Sequence, residues 1–164
     1  ALEEYDSPET VNIIAAALES RGHQVIRLGG GERFLDAVRH ERPDMVFNIA
    51  EGRGTYRSRE AQVPAVLEML GIPYTGSDPQ TLAIGLDKPL TKKLVAADGV
   101  ATPKWLIVKE TAELCPGLWE GFPFPVIIKP SFEGSSKGIK LTSLAHDRRQ
   151  AEDEIIRILE EAES

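Results

Sequence analysis

The spacing of apolar residues changes along the chain, and each change marks an element. Val11, Ile14, Ala15 and Leu18 recur at three- and four-residue intervals behind Ser7 and Pro8. That pattern predicts an amphipathic helix with a serine cap and a proline in its first turn, stopped by Gly22. Residues 24–28 read as a strand. Gly29, Gly30 and Gly31 then open a helix to about His40, and residues 44–49 form a second apolar strand. Residues 59–70 predict a helix in which Pro64 either bends the axis or marks the true start, and Gly71 ends it before a short strand at 72–74. Repeated helix-then-strand units of this size argue for a parallel sheet with helices on its faces.

The style changes at residues 75–78, a Gly/Ser/Asp turn followed by Pro79. Two short helices at 79–85 and 87–97 lead through Gly99 and Pro103 to a strand at 104–108. After a proline-rich run at 116–125 comes an apolar, β-branched strand at 125–129, with residues 138–142 as its return partner. A last helix follows, capped by Ser143, with Leu144, Ala151, Ile155, Ile158 and Ala162 at helical spacing. The second half is thus a separate unit.

Candidate chemistry concentrates in the loop between those two strands. Lys129 ends the first strand, and Gly134, Ser135, Ser136 and Gly138 follow with no bulky side chain among them. Backbone N–H groups can close there on anionic oxygens while Lys129 supplies positive charge. An ordinary hairpin with a surface lysine is the alternative. Gly134 to Gly138 also spell G-x-S-x-G, but a hydrolase elbow needs strand, turn and helix, and an apolar strand follows here instead. His23, His40 and His146 are scattered in polar contexts, so no base for Ser136 is evident. Lys88 lies at a predicted helix start, where a cation opposes the positive helix end; it points to a nearby anion or is simply a solvated lysine. The three glycines at 29–31 fail the dinucleotide fingerprint, because Phe34 stands where its third glycine belongs, and no P-loop spelling or metal-ligand spacing occurs.

Composition narrows the function classes. At 164 residues the chain is one domain or two small ones. A compact domain of that size buries about 70% of its unfolded surface, enough for a core. Nineteen basic against twenty-six acidic residues give a net charge of −7, which argues against a nucleic-acid partner; the cluster Lys88, Lys92 and Lys93 is too small to override it. A single cysteine, Cys115, permits no internal disulfide and fits a reducing compartment. With no leader and no apolar run near the eighteen or so residues of a membrane span, a cytoplasmic protein with no membrane partner is expected.

The segments LEMLGIPYTGSDPQTLAIGLDKPLTKKLVAADGVATP at 67–103 and VIIKPSFEGSSKGI at 126–139 resemble the ATP-grasp superfamily. Within it they are similar to D-alanine–D-alanine ligases and their close relatives, in wording and in spacing, and the likeness covers nearly all of the chain. The resemblance implies an α/β fold. Residues 1–84 would be a pre-ATP-grasp, Rossmann-like three-layer domain with a parallel sheet, and residues 85–164 the α+β first subdomain of an ATP-grasp fold, truncated before the second. It also implies ATP-dependent joining of a carboxylate to an amine through an acyl phosphate, in the service of peptidoglycan synthesis. By resemblance Lys88 of the LDK motif and Lys129 of the IKP motif grip ATP phosphates, and the loop carrying Glu133, Gly134, Ser135, Ser136 and Gly138 closes over them. Ser135 matches the family's loop serine that orients the active site. Such transfer rests on positioning and charge neutralisation, and a closed loop keeps water from the acyl phosphate.

Two departures qualify the likeness. Glu51, in NIAEGRG, stands where the family's D-alanine ligases carry a histidine, which puts recognition of D-alanine's carboxylate there in doubt. Glu3 or Glu4 matches the family's first-loop glutamate only loosely, and a solvated terminus is the alternative. The family's adenine-binding hinge and magnesium-binding carboxylates are not in this sequence, so ATP and Mg2+ are the expected cofactors with the metal ligands outside the chain. The chain then reads as part of a longer ligase acting on small amino acids or dipeptides, with homodimerisation admitted. A non-catalytic nucleotide- or peptide-binding module and a dimerisation unit are the competing readings.

Overall fold

A computed structural model describes residues 7–163. The chain divides into two compact units between Asp87 and Lys88. In the first unit, helix α1 (Pro8–Glu19) is capped by the Ser7 hydroxyl, which accepts the Thr10 amide at 3.1 Å. Its stripe is shallow: Ala15 is buried while Val11, Ile14 and Leu18 are half-buried. Helix α2 (Gly31–Glu41) turns Phe34 and Val38 inward, and a 3-10 turn (Arg59–Ala61) leads into α3 (Gln62–Leu70). Pro64 is third in α3, where its missing N–H would have no intrahelical acceptor, and Gly71 closes the helix in the left-handed region. Helix α4 (Pro79–Leu86) starts at Asp78, whose carboxylate accepts the Thr81 amide at 2.9 Å and its hydroxyl at 2.8 Å. Those bonds, the amide first, hold the Asp78 carboxyl below its usual range. The core gathers Phe34, Val38, Val46, Val63 and Leu67, with Leu28, Val66, Ile72 and Tyr74 packed against it.

The predicted parallel sheet is reduced, among the described residues, to one parallel bridge between Val46 and Tyr74. The Val46 amide donates to the Pro73 carbonyl at 2.8 Å and the Thr75 amide to the Val46 carbonyl at 2.9 Å. The ladder stops there for a local reason. The Asn48 amide goes to the Thr75 hydroxyl at 3.0 Å and the Ala50 amide to the Asn48 side-chain oxygen at 3.1 Å, so side chains take donors that a longer ladder would use. Residues 24–28 and 104–108, expected as strands, run without strand pairing among the described residues.

The second unit starts with α5 (Lys88–Ala97). Lys92 on α5 donates to the Thr102 hydroxyl at 2.6 Å and lies 5.2 Å from the centre of the Trp105 ring, fastening the segment after the helix back onto it. Strand β1 (Val126–Ile127) pairs antiparallel with β2 (Leu144–Ala145), in the register Val126 to Ala145 and Ile127 to Leu144. This corrects the return partner expected at residues 138–142. Those residues are spent in turns, including a 3-10 turn (Leu141–Ser143) that leaves Leu141 fully exposed, so pairing resumes only past Ser143. The last helix is corrected too. Helix α6 spans Arg148–Glu163, and Asp147 rather than Ser143 supplies its starting acceptors, to the Gln150 and Ala151 amides. Ala151 and Ile155 are buried with Trp119 and Ala145, whereas Ala162 lies in water.

Candidate functional site

Lysine and loop come together within the second unit. Lys88 is the first residue of α5; its amide donates to the Ser131 carbonyl at 3.2 Å and its ammonium to the Glu133 carbonyl. One residue thus holds the entry to the loop through both its backbone and its side chain. The Glu133 carboxylate faces the Lys137 ammonium at 3.1 Å, four residues on. Inside the loop the Lys137 amide returns to the Gly134 carbonyl at 2.9 Å and the Ile139 amide to the Ser136 carbonyl at 3.0 Å, two successive tight turns. Such turns need left-handed residues: φ is 45° at Ser135, 62° at Ser136 and 75° at Gly138. The backbone N–H groups of Ser135 and Ser136 donate to no other described residue, and both serines are exposed. Lys129 is exposed beyond β1, with no ion pair to a described residue.

The loop's exit is held more firmly. Gly138 lies against Pro130, so close that a β-carbon on it would come within 2.8 Å of the proline Cγ. On its other side the Arg157 guanidinium donates to the Gly138 carbonyl at 2.9 Å. Arg157 also donates to both Glu154 carboxylate oxygens, at 3.0 and 2.6 Å, and to Glu161 at 2.6 Å. Glu154 is buried and takes a further bond from the Ser143 hydroxyl at 2.6 Å. The bonds from Arg157, helped by Ser143 and opposed by burial, pull its carboxyl down to about 2. Arg157 is correspondingly pushed up, first by Glu154.

Two of the sequence candidates lie elsewhere. Glu4 is outside the described residues. Glu51 belongs to the first unit, half-buried beside Gly52, whose φ is 77° and whose position admits no side chain because a β-carbon would meet the Arg59 carbonyl oxygen at 2.0 Å. Arg59 is itself buried, at 2% exposure. The same stretch is tied to α3 by paired bonds between Arg53 and Gln62, at 2.9 and 3.1 Å. Sequence reasoning missed Lys137, Glu154 and Arg157. The spacing Glu154, Arg157, Glu161 is a helical charge pattern visible in the sequence, but nothing local to it says that its face meets Gly138.

Among the described residues no group of three or more His, Cys, Asp or Glu side chains is arranged to hold a metal ion, and no helix is long and apolar enough to cross a membrane. No family model matches the chain. It is 37% identical over 147 residues to an uncharacterised protein, y4sG, of Sinorhizobium fredii, covering 84% of this chain and 42% of that protein. A D-alanine–D-alanine ligase of Aquifex aeolicus is 33% identical over 144 residues, 88% of this chain and 48% of the ligase. The chain therefore spans about half the length or less of these curated relatives. Among solved structures, a D-alanine–D-alanine ligase from Bacillus anthracis superposes with a TM-score of 0.71 at 28% identity, over 94% of this chain and 47% of that one. A structure of the ligase from that organism complexed with ATP, at 24% identity and a TM-score of 0.68, shares the fold.

Proposed function

We propose, starting from the chain's kinship with D-alanine–D-alanine ligases of the ATP-grasp superfamily, that it forms the N-terminal and first nucleotide-gripping portions of an ATP-dependent carboxylate–amine ligase. The observation that carries this reading is the reach of the Lys88 ammonium from the start of α5 to Glu133 of the glycine–serine loop. It joins a cation to a loop whose Ser135 and Ser136 N–H groups point to no described acceptor. Cations beside backbone donors in left-handed turns suit the oxygens of a triphosphate. Lys88 and Lys129 would neutralise phosphate charge, and residues 132–138 would close over it and exclude water. Ser135 would orient the loop against the reacting groups. ATP supplies the γ-phosphoryl group that turns a substrate carboxylate into an acyl phosphate; an amine then attacks the acyl carbon, forming the amide and releasing phosphate.

Glu51 would contact a substrate, its carboxylate suiting an amino group better than another carboxylate. Small amino acids or dipeptides, in the cytoplasm, are the proposed substrates. The described residues offer no carboxylate set that fits Mg2+, and no step is drawn through that ion. Titration with ATP, followed by the fluorescence of Trp105 and Trp119, tests the phosphate assignment. Lys129→Ala should weaken binding by about tenfold or more, the worth of a charge-assisted bond in a sheltered site. Unchanged affinity would overturn it. An amide-forming assay of the full-length protein with D-alanine and other amino acids tests the reaction class, and ATP consumption without amide formation would reject a ligase.

A further inference from the structure

We propose that Arg157 is the positioning residue of the glycine–serine loop, fixing its exit at Gly138 so that the stretch before it moves about a set point. The proposal rests on the reading of residues 132–138 as a clasp for phosphates. Four acceptors converge on one guanidinium: the Gly138 carbonyl, both oxygens of Glu154 and one of Glu161. Glu154, Arg157 and Glu161 recur three and four residues apart, so they share one face of α6. That face binds the exit of the loop residue by residue. Arg157 holds Gly138, Glu161 holds Lys140 at 2.8 Å and Glu154 holds Ser143 at 2.6 Å. The clamp is rooted in the core, because Ala151 and Ile155 of the same helix are buried with Trp119.

Pro130 supplies the opposite jaw. With a β-carbon excluded at 2.8 Å from its ring, Gly138 sits between proline and guanidinium and has little room to shift. The entry is held otherwise, by Lys88 on the Glu133 carbonyl and Lys137 on the Glu133 carboxylate, two long side chains that can exchange one acceptor for another. A planar guanidinium satisfying several acceptors in fixed directions cannot be replaced by an ammonium, which is a point charge on a flexible stem. The arrangement therefore divides the loop into a movable entry and a fixed exit.

Amide hydrogen exchange on the 164-residue chain, compared with Arg157→Lys and Arg157→Gln, tests this. Arg157→Lys keeps a positive charge beside Glu154 and Glu161 and so keeps the helix face, yet loses the bond to Gly138. In both variants the Lys137 and Ile139 amides should exchange about tenfold faster or more, the effect of losing a bond to a charged donor. In Arg157→Lys the α6 amides should stay within about twofold of the parent chain, since helix opening is not what has changed. Unchanged loop amides in Arg157→Lys, or equal acceleration in loop and helix, would overturn the proposal. In a parallel arm, on the full-length ligase proposed above, ATP should slow exchange of the loop amides in the parent and slow it less in Arg157→Lys. Failure of ATP to protect the parent loop would reject the nucleotide reading, and the comparison of variants would still decide whether Arg157 positions the loop.

Discussion

Replacing Glu154 by glutamine isolates the charge at the centre of the α6 network. The carboxylate accepts from Arg157 Nε at 3.0 Å, Arg157 Nη2 at 2.6 Å and the Ser143 hydroxyl at 2.6 Å. An amide of the same shape turns one acceptor into a donor facing the guanidinium. The fall of the Glu154 carboxyl from 4.5 to about 2 converts, undamped, to about 3 kcal/mol. Arg157 and Glu161 keep part of the network in contact with water, and screening reduces the expected loss to about 1–2 kcal/mol near neutral pH. The sign follows from the direction of the shift. A carboxyl depressed in the folded chain stabilises it fully above its unfolded value near 4.5 and loses that contribution as pH falls toward 2. The difference between Glu154→Gln and the parent should therefore be largest at pH 6–7 and shrink steadily below about pH 4. Both tryptophans, Trp105 and Trp119, lie in the second unit, so urea unfolding followed by their fluorescence reports on the unit that holds Glu154. A difference that stays constant from pH 7 to about pH 3 would refute the argument, because it would mean that shape, not charge, sets the cost.

Gly138→Ala should destabilise the second unit by about 1–3 kcal/mol, from a left-handed φ and a close approach to Pro130 together, read as a lower tryptophan-detected melting temperature. Gly52→Ala should cost the first unit about 3 kcal/mol or more, since backbone rather than side chain occupies the space. Gly76→Ala, at positive φ but in open space, should cost only about 1 kcal/mol, and circular dichroism melting curves compare the two. In the full-length ligase proposed above, Ser135→Ala should lower kcat by about tenfold while moving the KM for ATP less than about twofold, the pattern of a group that orients and does not grip.

Helices were the legible part of this chain. Ser7 with Pro8, Asp78 with Pro79, and Gly71 carry start and stop signals in the residues themselves, and the helices begin or end beside each of them. Pairing was less legible because it depends on partners far along the chain. The Thr75 hydroxyl that takes the Asn48 amide lies 27 residues away, and no local pattern announces it. The hairpin partner slipped for a related reason: Gly138 is committed to Pro130 and Arg157, which postpones pairing to Leu144. Lys88 and the loop could be singled out from residue types alone. Their meeting through Glu133, and the closure of the exit by Arg157, nineteen residues farther on, could not.

Ser135 and Ser136 stand in the left-handed region without the freedom of glycine. Each such residue holds about 1 kcal/mol or more of backbone strain that the rest of the fold sustains. The loop is in that sense a loaded spring, whose load is set by two β-carbons and not by any contact across the molecule. Glycine at either position would unload it, making the resting loop cheaper to hold while widening the range of shapes it visits. The two serines thus trade ease of folding for a narrower choice of loop shapes, and that trade can be retuned without touching a charged group.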